Sequence, residues 1–289
     1  MSFLHRKIEL EIKFGSGQQG IEEGRTVRLK GLRIALYMSE QGGAGMGSLQ
    51  GQVFGLAPDL INDLTTIGKL PVVYQRNIVT VYAGDDVRGM CMVWQGTLTS
   101  AIADMSNAPD VSFNILGSVG MIEAIIPADH LSYKGDIDAA IIIADLARSM
   151  GLHFENNGCY AILNNPYFIG AGRNMLETCA RAAGFDWIID NGTVAIWPKG
   201  SHRQSIPYVI SPDTGMVGYP TYSSNSLIVN ILYEPTIRFG QLVEVKSSLK
   251  NTDGLWRVTQ LNHDIAAKMP GGSWFSQLYL TKPDALVLK

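Results

Sequence analysis

Five histidines, three cysteines and a few adjacent acids are the groups in this 289-residue chain that could hold a metal, relay a proton or attack a substrate. His5, His130, His153, His202 and His263 never fall at the spacing of a helix-borne metal site, and none lies near a cysteine pair. A metal centre would have to be assembled from distant segments. Asn262-His263-Asp264 sets an imidazole beside a carboxylate, the orienting half of a hydrolytic triad, but no Gly-x-Ser-x-Gly elbow or comparable nucleophile accompanies it. It reads as a surface or satisfied structural histidine near a strand end. Glu22-Glu23 and Asp85-Asp86 are neighbours in turn-like contexts, where adjacent side chains point apart, so they read as solvated turn acids and not as a glycosidase pair. Asp136, Asp138 and Glu177 are the acids on which a cell-wall glycan hydrolase would have to rest. No catalytic, cofactor-binding or metal-binding residue is assigned.

The glycine runs are the next candidates. Gly42-Gly43-Ala44-Gly45-Met46-Gly47 looks like a phosphate cradle, yet a strand pattern follows it where a dinucleotide fold needs a long helix. It reads as a loop projecting from a β-domain, and Gly42, Gly43, Gly45, Met46 and Gly47 are its candidate partner-contacting residues. Gly170-Ala171-Gly172 precedes a helix, as an anion site does, but lacks the Lys and Ser/Thr of a P-loop. Asn191-Gly192-Thr193 matches a glycosylation sequon and equally a hairpin turn, and the turn is preferred. Met38, Met46, Met90 and Met92 suit either a core or an adaptable partner surface.

Composition narrows the function classes. A formal charge of -3, with no run of five Lys or Arg, lacks the footprint of a dedicated nucleic-acid binder. Cys91, Cys159 and Cys179 are odd in number and scattered, which suggests small buried hydrophobes from a reducing compartment. The start leads straight into the alternating Ile8-Glu9-Leu10-Glu11-Ile12, so no signal peptide is expected, and Ala139 to Leu146 is too short and too polar to span a bilayer.

These residues must be positioned by a mainly β chain. Strand-like runs occupy Ile8 to Phe14, Thr26 to Tyr37, Gly51 to Leu56, Asn77 to Ala83, Met90 to Ser100 and Val111 to Leu116, with one helix expected from Pro58 to Gly68. Between 128 and 199 a unit occurs twice. Leu146-Ala147-Arg148-Ser149-Met150-Gly151 and Cys179-Ala180-Arg181-Ala182-Ala183-Gly184 each end a helix at a glycine. The helices are expected at about 137–150, with Ile141, Leu146 and Met150 among its apolar positions, and at about 172–183, the less amphipathic of the two. Each is expected to feed a hairpin, at 152–163 and 186–197, turning at Asn-Gly. Clean alternation returns in Leu227–Leu232, Leu242–Lys246, Leu255–Leu261 and Trp274–Leu280. The expected division is a β-barrel domain over 1–127, an α+β insert over 128–199 and a second β-barrel over 200–289.

In this order, Val53-Phe54-Gly55-Leu56-Ala57-Pro58-Asp59, Val79-Thr80-Val81-Tyr82-Ala83-Gly84-Asp85, Val93-Trp94-Gln95-Gly96-Thr97-Leu98 and Pro109-Asp110-Val111-Ser112-Phe113 resemble the first barrel of the tail hub proteins of long-tailed bacteriophages. Ile210-Ser211-Pro212-Asp213-Thr214-Gly215, Leu232-Tyr233-Glu234-Pro235 and Gly254-Leu255-Trp256-Arg257-Val258 continue the likeness along nearly the whole chain. It implies two tube-like barrels per subunit around an inserted region, and a homotrimer whose six barrels match the sixfold tail tube on one side and the threefold spike on the other. It implies no catalytic residues and no cofactors. Implied partners are tail tube or distal tail proteins, a central spike, other baseplate proteins and a tape measure protein, in a virion assembled in the host cytoplasm. DNA would pass without specific binding, and no membrane insertion is implied. A hub-like part of a contractile injection system is the nearest alternative, and a glycan hydrolase the more distant one.

Overall fold

The computed structural model describes residues 5–15, 24–43, 45–65, 76–106 and 108–283. Glu22-Glu23, Ala44 and Gly68 lie outside them; the helix expected to run to Gly68 instead ends at Leu64, where Thr65 turns extended. The chain is mainly β, as its alternation requires, and forms two compact units. One holds Met1–Ser39, Gly47–Ile122 and His263–Phe275, and the other Glu40–Met46, Glu123–Asn262 and Ser276–Lys289.

The first unit is an antiparallel sheet of β1 (Arg6–Lys13), β2 (Thr26–Leu29), β3 (Arg33–Glu40), β4 (Ser48–Phe54), β5 (Ile78–Asp85), β6 (Gly89–Asp104) and β7 (Ser112–Ser118). Its order is β3-β4-β7-β6-β5-β1-β2. Register follows the buried alternation: Ile8, Leu10 and Ile12 face Ala83, Val81 and Val79, and a one-residue slip of β1 would turn its three apolar side chains to the outer face. The run Thr26 to Tyr37 is two strands, because Gly31 takes a left-handed φ of 70° between them. Helix α1 (Pro58–Leu64) starts on its proline and buries Ile61 and Leu64. Trp94 on β6 is buried over two glycines, and a Cβ at Gly96 or Gly117 would lie 2.5 or 2.7 Å from the indole.

Helix α2 (Met121–Ile125) is short. The second unit then builds β8 (Pro127–Ser132), β9 (Asp136–Asp138), α3 (Ala139–Ser149), β10 (His153–Asn156), β11 (Ile162–Asn164), β12 (Tyr167–Ala171), α4 (Gly172–Ala183), β13 (Phe185–Asp190) and β14 (Thr193–Pro198). The Asp138 side chain caps α3 by accepting from the Ala140 N–H, and α4 ends at left-handed Gly184. Two expectations fail here. Ile141 is exposed, and Ile142, Ile143 and Ala147 enter the core beside the expected Leu146; and α4, not α3, is the more amphipathic helix, because the run Ala139 to Ile143 leaves an apolar residue on the outer face of α3 as well. Only the second copy closes as a hairpin, β13 with β14 across Asn191-Gly192. In the first copy β10 pairs parallel with β14 and β11 pairs with β9. The cause lies in the turn residues: Asn156 accepts from the Cys159 N–H, and Asn157 donates its backbone and side-chain N–H groups to the Ile196 carbonyl on β14.

The C-terminal strands β15 (Arg203–Ile210), β16 (Thr221–Tyr222), β17 (Leu227–Leu232), β18 (Gln241–Val245), β19 (Gly254–Ala267) and β20 (Trp274–Thr281) complete this unit in the order β16-β17-β20-β19-β18-β15. Val229, Ile231, Val243, Val245, Val258 and Leu278 share its buried face. The tip of the β19–β20 hairpin groups with the first unit.

Candidate functional site

A cluster of buried polar groups lies in the second unit. Arg203, 1% exposed, begins β15 and is fixed there by its N–H to the Gly240 carbonyl. Its Nε and Nη2 donate to the two oxygens of Glu155 at 2.6 Å each, and its Nη1 donates to Asp190 Oδ2 at 2.6 Å. A guanidinium fork gripping two carboxylates is the strong, orientation-specific form of this contact. Glu155 stands on β10 because that strand pairs parallel with β14, and Asp190 closes β13 just before the Asn191-Gly192 turn. Burial alone would lower the pKa of Arg203, and the two carboxylates more than reverse that. The hydrogen bonds from Arg203 hold Glu155 below the usual carboxylate range.

Glu40 joins this cluster from the end of β3. It is 7% exposed, the backbone N–H of Phe239 donates to it, and its Oε2 has no hydrogen-bond partner. Burial, then the negative charge of Asp190, push its pKa up to about 8, against the pull of Arg203 and Arg238.

Beyond Glu40 the glycine-rich loop is tied down within the same unit. Gly43 donates its N–H to the Trp187 carbonyl at 2.9 Å, and buried Arg173 on α4 donates Nη2 to the carbonyls of Gly43 and Gly45 at 3.3 and 3.0 Å. Gly42 lies flat on Phe239, where a Cβ would come within 2.3 Å of the ring. Below the loop a cleft of about 410 Å³ is lined by Trp187, Trp197, Phe239, Arg181, Lys199 and Arg257 among others. Arg257 is buried, donates to the Ser201 carbonyl at 2.5 Å and stands 3.8 Å from Asp186. Burial lowers its pKa and Asp186 opposes that.

A second feature is uncharged. Gln260 donates to Asn262, Asn262 to Gln277 and Gln277 to Asn230, at 3.2, 3.4 and 3.1 Å, in a row of amides across β19, β20 and β17. This row runs on the face opposite Val229, Ile231 and Leu278.

The sequence candidates fall elsewhere. Among the described residues no group of three or more His, Cys, Asp or Glu could hold a metal ion. His263 is buried, with a pKa pushed down to about 4 by desolvation, while Asp264 beside it is exposed, so the two do not form a pair. Asp85 accepts from the Val87 and Arg88 N–H groups and Asp86 pairs with Lys7, as turn acids do. Asp136 accepts from Asn164, Asp138 caps α3, and Glu177 lines the cleft. Cys159 and Cys179 are buried, and burial raises both thiol pKa values, Cys179 to about 12; Cys91 is exposed, contrary to its reading as a buried hydrophobe, because its strand position faces outward. Glu40, Glu155, Asp190 and Arg203 were not singled out from the sequence. They are spread over 160 residues, and Asp190 is masked as part of a turn signal.

This fold is that of phage tail proteins. It resembles the 43 kDa tail protein of prophage MuSo2 from Shewanella oneidensis (TM-score 0.60, 12% identity, covering 96% of this chain and 99% of that one) and a tail protein from Neisseria meningitidis MC58 with the same values. It also resembles the E. coli c3393 protein, a type VI secretion component (TM-score 0.59, 9% identity, covering 93% and 76%). A search of curated proteins found no match. The family model for baseplate hub gp41 matches residues 9–270, and the chain belongs to that family.

Proposed function

We propose that this chain is a structural, non-enzymatic hub subunit that forms a trimeric ring between a sixfold tail tube and a threefold spike, and that the ring is part of the DNA ejection conduit. The observation that carries this is the baseplate hub family match over 9–270, joined to a chain that folds as two β-rich units, so that three copies offer six. The working division is a barrel over 1–127, an insert over 128–199 and a barrel over 200–289. Tail tube or distal tail proteins, the spike, other baseplate proteins and a tape measure protein are its partners, and its place is the virion tail tip after assembly in the host cytoplasm. Gly42, Gly43, Gly45, Met46 and Gly47 are proposed as partner contacts, supported by a loop backbone that is already held in shape by Arg173; assembly unaffected by deleting the loop would remove them.

Light scattering of the purified chain, alone and with the spike protein, tests the reading: a trimer is expected in at least the second case, and a monomer indifferent to the spike rejects it. A second reading, a hub in a contractile injection system that carries protein, is favoured by the likeness to c3393 and to a PdpA-VgrG complex of Francisella (TM-score 0.61, 8% identity).

A further inference from the structure

The charges around Glu40 do not balance. Three carboxylates, Glu40 from β3, Asp190 from β13 and Glu155 from β10, share two guanidinium groups, Arg203 from β15 and Arg238 from the turn before β18. Arg203 has Nε, Nη1 and Nη2 all committed to Glu155 and Asp190. Arg238 is exposed, so solvent weakens its pull. What remains for Glu40 is one backbone N–H and an Oε2 that nothing satisfies. An ionised Glu40 is therefore a poorly compensated buried charge next to another carboxylate, a cost that the neutral acid avoids.

Glu40 is also the first residue of the segment that seats on Trp187 and Arg173. We propose that Glu40 is a proton-operated latch for the contacts that follow it at Gly43 and Gly45: with its proton these residues stay seated on Trp187 and Arg173, and without it they are released. The latch needs no ligand and is independent of the hub assignment. Its sign follows from linkage. The seated form keeps the Glu40 proton up to about pH 8, whereas a solvated carboxyl gives it up near its ordinary 4.5. Between those values the seated form binds the extra proton, so seating weakens about tenfold per pH unit as pH rises and then levels off.

Hydrogen exchange of the full chain, followed by mass spectrometry on peptides covering 40–47, measures this through the Gly43 amide that donates to Trp187. Protection factors, corrected for intrinsic exchange, are read from pH 5.5 to 9. In the wild type protection should fall about tenfold per unit between roughly pH 6 and 8 and then flatten, with no such slope in β14 peptides. Glu40→Gln should keep the loop protected at every pH, and Arg173→Ala, which removes the clamp and leaves Glu40 in place, supplies the exchange of an unseated loop. A wild-type loop whose protection does not change with pH, or that changes equally in Glu40→Gln, overturns the latch. Should Glu40→Gln fail to fold, the wild-type slope of loop against β14 peptides decides alone.

Discussion

The two units use the same chemistry, a basic side chain against a carboxylate, in opposite settings. On the first sheet Lys7–Asp86, Arg28–Glu11 and Lys30–Glu9 sit on the outward face of β1 and its neighbours, each cation 53% exposed. Glu11 and Arg28 are directly opposed across β1 and β2. Such pairs favour the right register and keep an exposed sheet soluble, but water screens them and each contributes little. In the second unit Arg203 is out of solvent, and it joins strands that are 48 and 13 residues away in sequence. There the pair holds together segments that share no hairpin, and removing one member strands the others.

Substitutions in the two settings should differ widely in cost. Arg203→Ala should produce the largest loss, about 3–5 kcal/mol in denaturant unfolding, because buried Asp190 and half-buried Glu155 lose the guanidinium that grips both. Replacing all three with Met and Leu should recover much of that loss; no recovery would mean that the cluster stabilises through more than charge balance. Next in size is a pH effect in the first unit. His263 is buried neutral, with its pKa lowered to about 4 from an ordinary 6.5, so the unfolded chain takes up a proton first as pH falls. Stability contributed above pH 6.5 is lost on acidification toward 4, by about 3 kcal/mol at most. Melts of His263→Gln should lack that limb. The sign is opposite to that of Glu40, whose cost appears as pH rises. Smaller again, Gly117→Ala should cost about 1–3 kcal/mol by pushing a methyl into Trp94, visible in unfolding midpoint and tryptophan fluorescence. Least of all, Arg28→Ala should leave the denaturant midpoint unchanged within error, and a clear drop would erase the contrast.

Most of the fold could be read from local pattern. β1, α1, α4, and the β13–β14 hairpin follow from alternation, a proline start, a glycine stop and an Asn-Gly turn, all of which act within a few residues. The first copy of the repeat shows where that ends. Asn156-Asn157-Gly158 carries the same turn chemistry as Asn191-Gly192, but its amides bind the Ile196 carbonyl and Cys159 N–H, so a long-range partner overrides a local preference. The buried cluster was illegible for a related reason. A charged residue gives no sign in sequence that it will be buried, and Arg203 is internal only because Glu155 and Asp190 arrive from other strands to meet it.

The first unit is not a contiguous stretch: most of it lies before residue 123, but it also owns His263–Phe275, near the far end of the chain. On a ribosome that unit cannot be finished while its early strands wait for a hairpin tip synthesised some 140 residues later, whereas all but the last strand of the second unit can already be assembling. The unit that begins first is thus completed together with the second, and a gene fragment cut after the first strands would encode a sheet lacking a piece of itself.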